Sequence, residues 1–383
     1  MQNRKNIVIL GSTGTIGINT LKVVERFPKQ FKVLGLTAYQ NVRLLRNQVH
    51  QFAPKYVAAA TQVIPALKRS LKENKVIFLP VETDLPELVS LPEADLVVIG
   101  IRGSAALEPF FRAVQCGKTV APANKEALVV AGDILMQEAT KHNARIIPVD
   151  SEQSAIFQCL EGRLREELKK VYLTASGGPL RDVPKQNFDK LSLRAILNHP
   201  RWKMGKKITV DSATLMNKGF EVIEAQRLFQ LNGHEIEVLI HPEAIIHSMV
   251  GFKDGTIMAQ LGVTDMRLPI QYALTHPRRM ETGLKEMNFT QIHKLSFDQP
   301  DYKKFPALRL AMYTSEEGGT LPCVLNAADE IAVEAFLAGR IIFSKIYKVV
   351  ENVVLRHKMI KKPSLKEIYQ VDAWARQIAK ELI

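Results

Sequence analysis

The chain has 383 residues, 46% apolar and 24% charged, with 21 Gly and 19 Pro spread along its length: a globular composition with room for two or three cores. No run reaches the roughly 18 apolar residues of a membrane helix, and MQNRKNIVILGSTG passes from a polar hexapeptide directly into a strand and a glycine loop. Neither a membrane span nor a signal or transit peptide is therefore expected.

The net charge of +13 raises nucleic-acid binding as a reading. From Arg340 onward, however, ten Lys/Arg are interleaved with four Asp/Glu and an apolar helical repeat, without the aromatic-rich stacking motif of single-strand binders. A solvated helical face is favoured, and nucleic acid is not expected as a partner. Cys116, Cys159 and Cys323 lie far apart with no CxxC pair, and read as buried thiols in a reducing cytoplasm.

In chain order, β-branched apolar runs at Ile7–Leu10, Val33–Thr37, Tyr56–Ala59, Val76–Leu79, Leu96–Ile99, Thr119–Pro122 and Arg145–Val149 alternate with helical patterns. That rhythm predicts a Rossmann-like parallel sheet with crossover helices over residues 1–149. A helix at Ser154–Leu160, a strand at Val171–Ala175, a helix from Ser212 and strands at Glu237–Ile240, His247–Phe252 and Thr256–Leu261 predict an α+β domain over 150–276. Residues 277–306 lose periodicity and read as a linker. Helical patterns at Leu321–Ala338, Ile341–Arg356 and Ser364–Leu382 predict a small all-helical domain over 307–383.

Gly11-Ser12-Thr13-Gly14-Thr15-Ile16-Gly17 follows the first strand and opens a helix. Glycines three apart allow a tight turn, approach of a pyrophosphate to backbone N–H groups, and close helix packing, so this is a dinucleotide loop. The second strand is followed by Ala38-Tyr39-Gln40-Asn41-Val42-Arg43 without an acid to hold the ribose hydroxyls. That favours NADP over NAD, with Arg43 a partner for the 2′-phosphate.

Asp150-Ser151-Glu152 ends the last strand of the sheet, where ligands of such folds gather. In extended chain Asp150 and Glu152 point to one side, and two like charges there call for a cation. Helix capping explains the same residues equally well in isolation. A second segment, Asp211 to Glu221, decides for the metal. Asn217 and Glu221 stand four apart and Lys218 and Glu221 three apart, on one helix face. A phosphate held by Ser212, Asn217 and Lys218 would leave a short sugar phosphate reaching toward Glu221. Gly219 inside this helix costs about 1 kcal/mol against Ala, which implies a close approach at that point. An all-carboxylate site of Asp150, Glu152 and Glu221 suits Mg²⁺ or Mn²⁺, with Co²⁺ a further option, better than zinc.

Ala123-Asn124-Lys125-Glu126 and Ser176-Gly177-Gly178-Pro179 place polar donors beyond strand ends, with a cap or plain turn as the alternative for each. His199-Pro200-Arg201-Trp202-Lys203-Met204-Gly205 suits a loop that closes over a ligand.

Together these segments resemble the 1-deoxy-D-xylulose 5-phosphate reductoisomerase family along nearly the whole chain. GSTGTIG, ANKEALV, PVDSEQSAIFQ, SGGPLRD, HPRWKMGKKITVDSATLMNKGFE, IHPEAIIHSMV and VLNAADEIAVEAFL carry the resemblance. It implies a cytoplasmic homodimer that rearranges its sugar phosphate with a divalent cation and reduces it with NADPH, in non-mevalonate isoprenoid synthesis. It further implies Asp150, Glu152 and Glu221 as metal ligands and Lys125, Glu152 and His199 as catalytic residues. Ser151, Ser176, Trp202, Ser212, Asn217 and Lys218 would complete the substrate contacts. Thr13, Gly14, Thr15, Ile16, Gly17, Asn41, Asn124, Glu126 and Gly205 would contact the cofactor. The chain departs from the family pattern at Tyr39-Gln40, at Ile101-Arg102-Gly103, at Ala175 where Gly is frequent, and at Asp329 where Asn is common.

Two other readings compete. A semialdehyde or homoserine dehydrogenase shares the layout, but the former needs an activated cysteine and Cys159 has no basic residue flanking it in sequence. A non-enzymatic NADP-sensing module would have no use for converging carboxylates.

Overall fold

The computed structural model describes residues 4–71, 75–202 and 204–383. The chain divides into two compact units. The first comprises residues 1–127, 135–154 and 265–284, and the second comprises 128–134, 155–264 and 285–383.

In the first unit β1 (Lys5–Leu10), β2 (Phe31–Ala38), β3 (Tyr56–Ala59), β4 (Ile77–Pro80), β5 (Leu96–Ile99), β6 (Thr119–Pro122) and β7 (Arg145–Ile146) form one sheet in the order β4-β3-β2-β1-β5-β6-β7. Every pair is parallel. Ile7–Leu10 and Leu96–Ile99 are fully buried, because helices cover both faces and a central parallel strand has no solvent side. The strand order reverses between β1 and β5. Gly11 and Gly100 follow those two strands, at the switch point where ligands of this fold bind.

The run expected as a strand over Arg145–Val149 pairs regularly only to Ile146. Pro148 has no N–H to donate. The backbone nevertheless stays alongside β6, with Ile147 N–H donating to Val120 O at 2.9 Å and Val149 N–H to Pro122 O at 3.0 Å. The chain thus reaches Asp150 at the carboxyl end of the sheet.

The second unit holds a mixed sheet of β8 (Leu168–Ala175), β9 (Ile236–Ile240), β10 (Ile246–Phe252) and β11 (Ile257–Leu261), ordered β11-β10-β8-β9. β8 and β9 are parallel and the other pairs antiparallel. Residues 277–306, read as a linker, contain one short 3₁₀ turn at Phe289–Gln291 and a bridge from Asp298 to Ile240. Helices Pro306–Glu317, Leu321–Leu337, Phe343–Arg356 and Leu365–Glu381 follow, the last opened by a Ser364/Glu367 capping box.

Two local expectations are corrected. The helix expected at Ser154–Leu160 starts at Ser151, so Glu152 sits in its first turn rather than in extended chain. The helix expected from Ser212 is two helices, Lys206–Thr214 and Met216–Phe229, separated by Leu215 in the left-handed region at φ +61°. The thiols also differ: Cys159 and Cys323 are buried, whereas Cys116, at the C-terminal end of helix Leu107–Gln115, is exposed.

Gly219 meets helix Pro306–Glu317: a Cβ there would lie 2.3 Å from Ala311 Cβ. The close approach implied by the sequence is thus helix on helix. Gly219→Ala is expected to destabilise the protein by about 1–2 kcal/mol, overpacking outweighing the gain in helix propensity, as read by denaturant unfolding. A more stable variant would show that the two helices are not held this tightly.

Candidate active site

The glycine loop turns tightly into the uncapped start of helix Thr15–Arg26. Gly11 turns at φ +82°, and a Cβ on it would lie 2.8 Å from Gly100 O. Gly17 sits against the loop backbone, where a Cβ would fall 2.3 Å from Ser12 Cα. Gly14 is different: a Cβ there would meet only Gly11 O, at 3.4 Å, so no protein atom demands glycine. The Gly14 N–H itself donates to Gly11 O at 3.0 Å, and the absent side chain leaves open space beside the first turn of the helix, at Thr15 and Ile16. Helix Thr15–Arg26 has no side-chain cap and no acid in its first turn, so its dipole faces outward uncompensated. Thr13 is part of the same turn. The loop is braced from behind by Thr37 Oγ1 accepting from Gly11 N at 2.8 Å and by the Ser12 hydroxyl donating to Gln48 Oε1 at 2.7 Å.

Past β2, Tyr39, Gln40, Asn41 and Arg43 are exposed. Asn41, expected as a cofactor contact, uses its side chain to cap helix Val42–Phe52 through Leu44 N at 3.2 Å. Asn124 ties two strand ends together, donating to Ile101 O at 2.8 Å and accepting from Ala127 N at 3.1 Å, with half-buried Glu126 two residues on.

At the end of the sheet, Lys125 Nζ lies 2.6 Å from Asp150 Oδ2, their side chains only 6% and 10% exposed. Asp150 Oδ1 accepts from Glu152 N at 3.2 Å, so Asp150 also caps helix Ser151–Leu160. The cap and the ion pair coexist on one carboxylate because it has two oxygens to offer. Ser151 Oγ donates to Glu152 Oε2 at 2.5 Å. The unit thus concentrates two carboxylates and one ammonium in a largely buried corner.

The second unit carries the other predicted group. In helix Met216–Phe229, Asn217 Nδ2 donates to Glu221 Oε1 at 2.5 Å and the Lys218 ammonium pairs with Glu221 Oε2. Lys218 also donates to Thr174 O at 2.5 Å, locking its head to the end of β8. Lys218 and Glu221 are both buried. Beyond β8, Ser176 Oγ lies 3.2 Å from His199 Nε2, and Gly178 packs so tightly on Ser212 that a Cβ would fall 2.3 Å from its carbonyl oxygen. Ser212 lies in the last turn of helix Lys206–Thr214, whose N-cap is Gly205. His199 Nδ1 accepts from Arg201 N at 3.2 Å and Trp202 N at 2.9 Å, which places the ring proton on Nε2. Trp202 leans on His247 at 6.2 Å between ring centroids, and Lys203 lies outside the described residues.

One cluster escaped the sequence reading. Lys207 Nζ lies 2.7 Å from Asp211 Oδ2 and 2.9 Å from Asp329 Oδ2, and 4.7 Å from the centre of the Phe220 ring. The four-residue step from Lys207 to Asp211 was a visible signal; Asp329, more than a hundred residues away, was not. The cluster pins helix Lys206–Thr214, and with it Gly205 and Ser212, to helix Leu321–Leu337.

Fold and site together define the class: an NADPH-dependent oxidoreductase with a doubly wound nucleotide domain. The family model for 1-deoxy-D-xylulose 5-phosphate reductoisomerase matches residues 7–132, that for the C-terminal domain of the same enzyme residues 146–229, and that for a DXP reductoisomerase C-terminal domain residues 261–378. The chain is similar to the 1-deoxy-D-xylulose 5-phosphate reductoisomerases of Pelotomaculum thermopropionicum, at 49% identity over 99% of this chain and 98% of that one, and of Thermodesulfovibrio yellowstonii, at 46% over 99% of each. Among solved structures it is similar to the Zymomonas mobilis enzyme in complex with NADPH, at 39% identity, 99% of each chain and a TM-score of 0.93. A DOX-P reductoisomerase in complex with NADPH, fosmidomycin and magnesium gives 36%, 99% and 98% coverage, and 0.93. The chain belongs to the 1-deoxy-D-xylulose 5-phosphate reductoisomerase family.

Burial pushes the Asp329 carboxyl above its ordinary value, against the opposing pull of Lys207. A carboxyl raised in the folded state costs stability once pH exceeds its unfolded value of about 3.9. Asp329→Asn is therefore expected to raise the melting temperature at neutral pH, with the gain shrinking as pH falls toward 4. A lower melting temperature at neutral pH would mean that the pairing with Lys207 outweighs the burial of the charge.

Proposed function

We propose that the protein converts 1-deoxy-D-xylulose 5-phosphate to 2-C-methyl-D-erythritol 4-phosphate, with NADPH as reductant and one divalent cation. The observation that carries this reading is the near-full-length likeness to reductoisomerases, 49% identical over 381 residues, one solved relative of which holds NADPH and magnesium. On this reading the chain works as a cytoplasmic homodimer in isoprenoid synthesis. Residues 1–149 bind NADPH and residues 150–276 bind metal and substrate. Residues 277–306 link them to the helices of 307–383.

The residues present fit both groups. Gly14 and the uncapped helix behind it leave space and donors for a pyrophosphate. Asp150, Glu152 and Glu221 offer only carboxylate oxygens, the donor chemistry of Mg²⁺ or Mn²⁺. When bound, NADPH supplies a hydride, and the cation supplies Lewis acidity toward vicinal substrate oxygens.

The chain supplies the rest. Lys218, Asn217, Ser176 and Ser212 grip the phosphate, with Lys218 held ready by Thr174 O. His199, its proton on Nε2 and its Nδ1 engaged by backbone, donates toward the substrate from the loop that Trp202 closes. Lys125, buried and paired to Asp150, holds a substrate oxygen with a fixed positive charge. Glu152 Oε2, already accepting the Ser151 hydroxyl, receives the proton of a substrate hydroxyl as the carbon skeleton rearranges. Gly205 and the loop segment Thr13–Gly17 flank the cofactor. Arg43, exposed beyond β2, takes the 2′-phosphate.

NADPH oxidation should require both 1-deoxy-D-xylulose 5-phosphate and Mg²⁺ or Mn²⁺, and Glu152→Gln should slow turnover by about 10²-fold or more. Metal-independent turnover, or full activity in the variant, would overturn the assignment.

A further inference from the structure

His241 opens the turn between β9 and β10, carries no role in the reaction described above, and is completely buried. Its imidazole is spoken for on both sides. Nε2 accepts from Ile245 N and Ile246 N, each at 3.2 Å. Nδ1 faces two oxygens, Ser296 O at 2.9 Å and Glu243 Oε2 at 3.1 Å. Backbone N–H groups can only donate, so Nε2 is bare and Nδ1 carries the proton. The ring also stacks on Phe297, centroids 4.9 Å apart. One side chain therefore closes a turn that needs closing: Ala244 within it sits at φ +51°, in a region that costs a non-glycine residue.

The turn is connected to the substrate side by two bonds. His241 N–H donates to Ala175 O at 2.6 Å, immediately before Ser176. Pro242 O accepts from Arg201 Nε at 2.8 Å, in the loop that carries His199 and Trp202. Two segments assigned to the substrate thus lean on the same turn.

We propose that His241 is a positioning residue for substrate binding: its neutral imidazole fixes the 241–246 turn, and that turn sets the places of Ser176 and of the His199–Trp202 loop. The proposal rests on the assignment of those segments to the sugar phosphate. It makes no demand on the glycine loop Thr13–Gly17, which lies on a different part of the chain. The ring acts through the backbone it organises and does not itself touch the substrate.

The chain has two tryptophans, so Trp374→Phe leaves Trp202 as the sole reporter of the loop. In that background, His241→Phe keeps the stacking surface but removes both ring hydrogen-bonding nitrogens, and Arg201→Ala cuts only the link to Pro242. Acrylamide quenching of Trp202 in the ligand-free protein should increase in both variants. The KM for 1-deoxy-D-xylulose 5-phosphate should rise about fivefold or more, as for loss of a single hydrogen bond. Unchanged quenching and unchanged substrate KM in Arg201→Ala would overturn the proposal, as would a folded His241→Phe with wild-type values. Should His241→Phe not fold, Arg201→Ala decides alone. Absence of turnover in the parent protein would instead remove the substrate assignment, and the quenching comparison would still decide whether the turn holds the loop.

Discussion

Two carboxylates, the buried Asp150 and the half-buried Glu152, stand at the end of a parallel sheet. Like charges so placed raise each other's proton affinity or demand a cation. Lys125 answers for Asp150, with its ammonium 2.6 Å from Oδ2. In the second unit the same constraint repeats: Glu221 is buried and leans on Lys218 and Asn217. On the proposed reading the two lysines also face the oxygens and the phosphate of the substrate.

The remaining architecture serves to hold these groups still. Long side chains buried at strand ends are precise only if backbone grips them, and it does so at Lys218 through Thr174 O. Histidines do similar service in loops. His199 and His241 each use an unprotonated ring nitrogen to gather two backbone N–H groups of an irregular segment. The division of labour is ordinary for enzymes: rigid elements carry the charged groups, and side chains brace the loops beside them.

Much of this was legible in sequence. Buried parallel strands read as short, mostly apolar runs, which is why Tyr56–Ala59, Leu96–Ile99 and Thr119–Pro122 coincide with β3, β5 and β6. The Asn217, Lys218 and Glu221 face followed from helical period alone. What escaped depends on partners distant in the chain. Nothing local announces a left-handed Leu215, since a non-glycine residue adopts that conformation only when the surrounding structure imposes it. In sequence, capping by Asp150 and metal binding are rival readings, yet one carboxylate caps Ser151–Leu160 and still keeps an oxygen on Lys125. Gly219 signalled a close approach but not by what: Ala311 lies in another helix, 92 residues on. Asp329 against Lys207, and His241 against Ser296, are likewise pairs that only the fold creates.

The proposed function assigns one cation to Asp150, Glu152 and Glu221. Its most direct measurement is an electron paramagnetic resonance titration of the full-length protein with Mn²⁺, in the wild type and in Asp150→Asn and Glu221→Gln. Tight uptake of about one ion per chain, weakened at least tenfold by either substitution alone, is the result expected of a common carboxylate site. Wild-type affinity in Glu221→Gln would contradict it, leaving the acids of the two units to separate tasks.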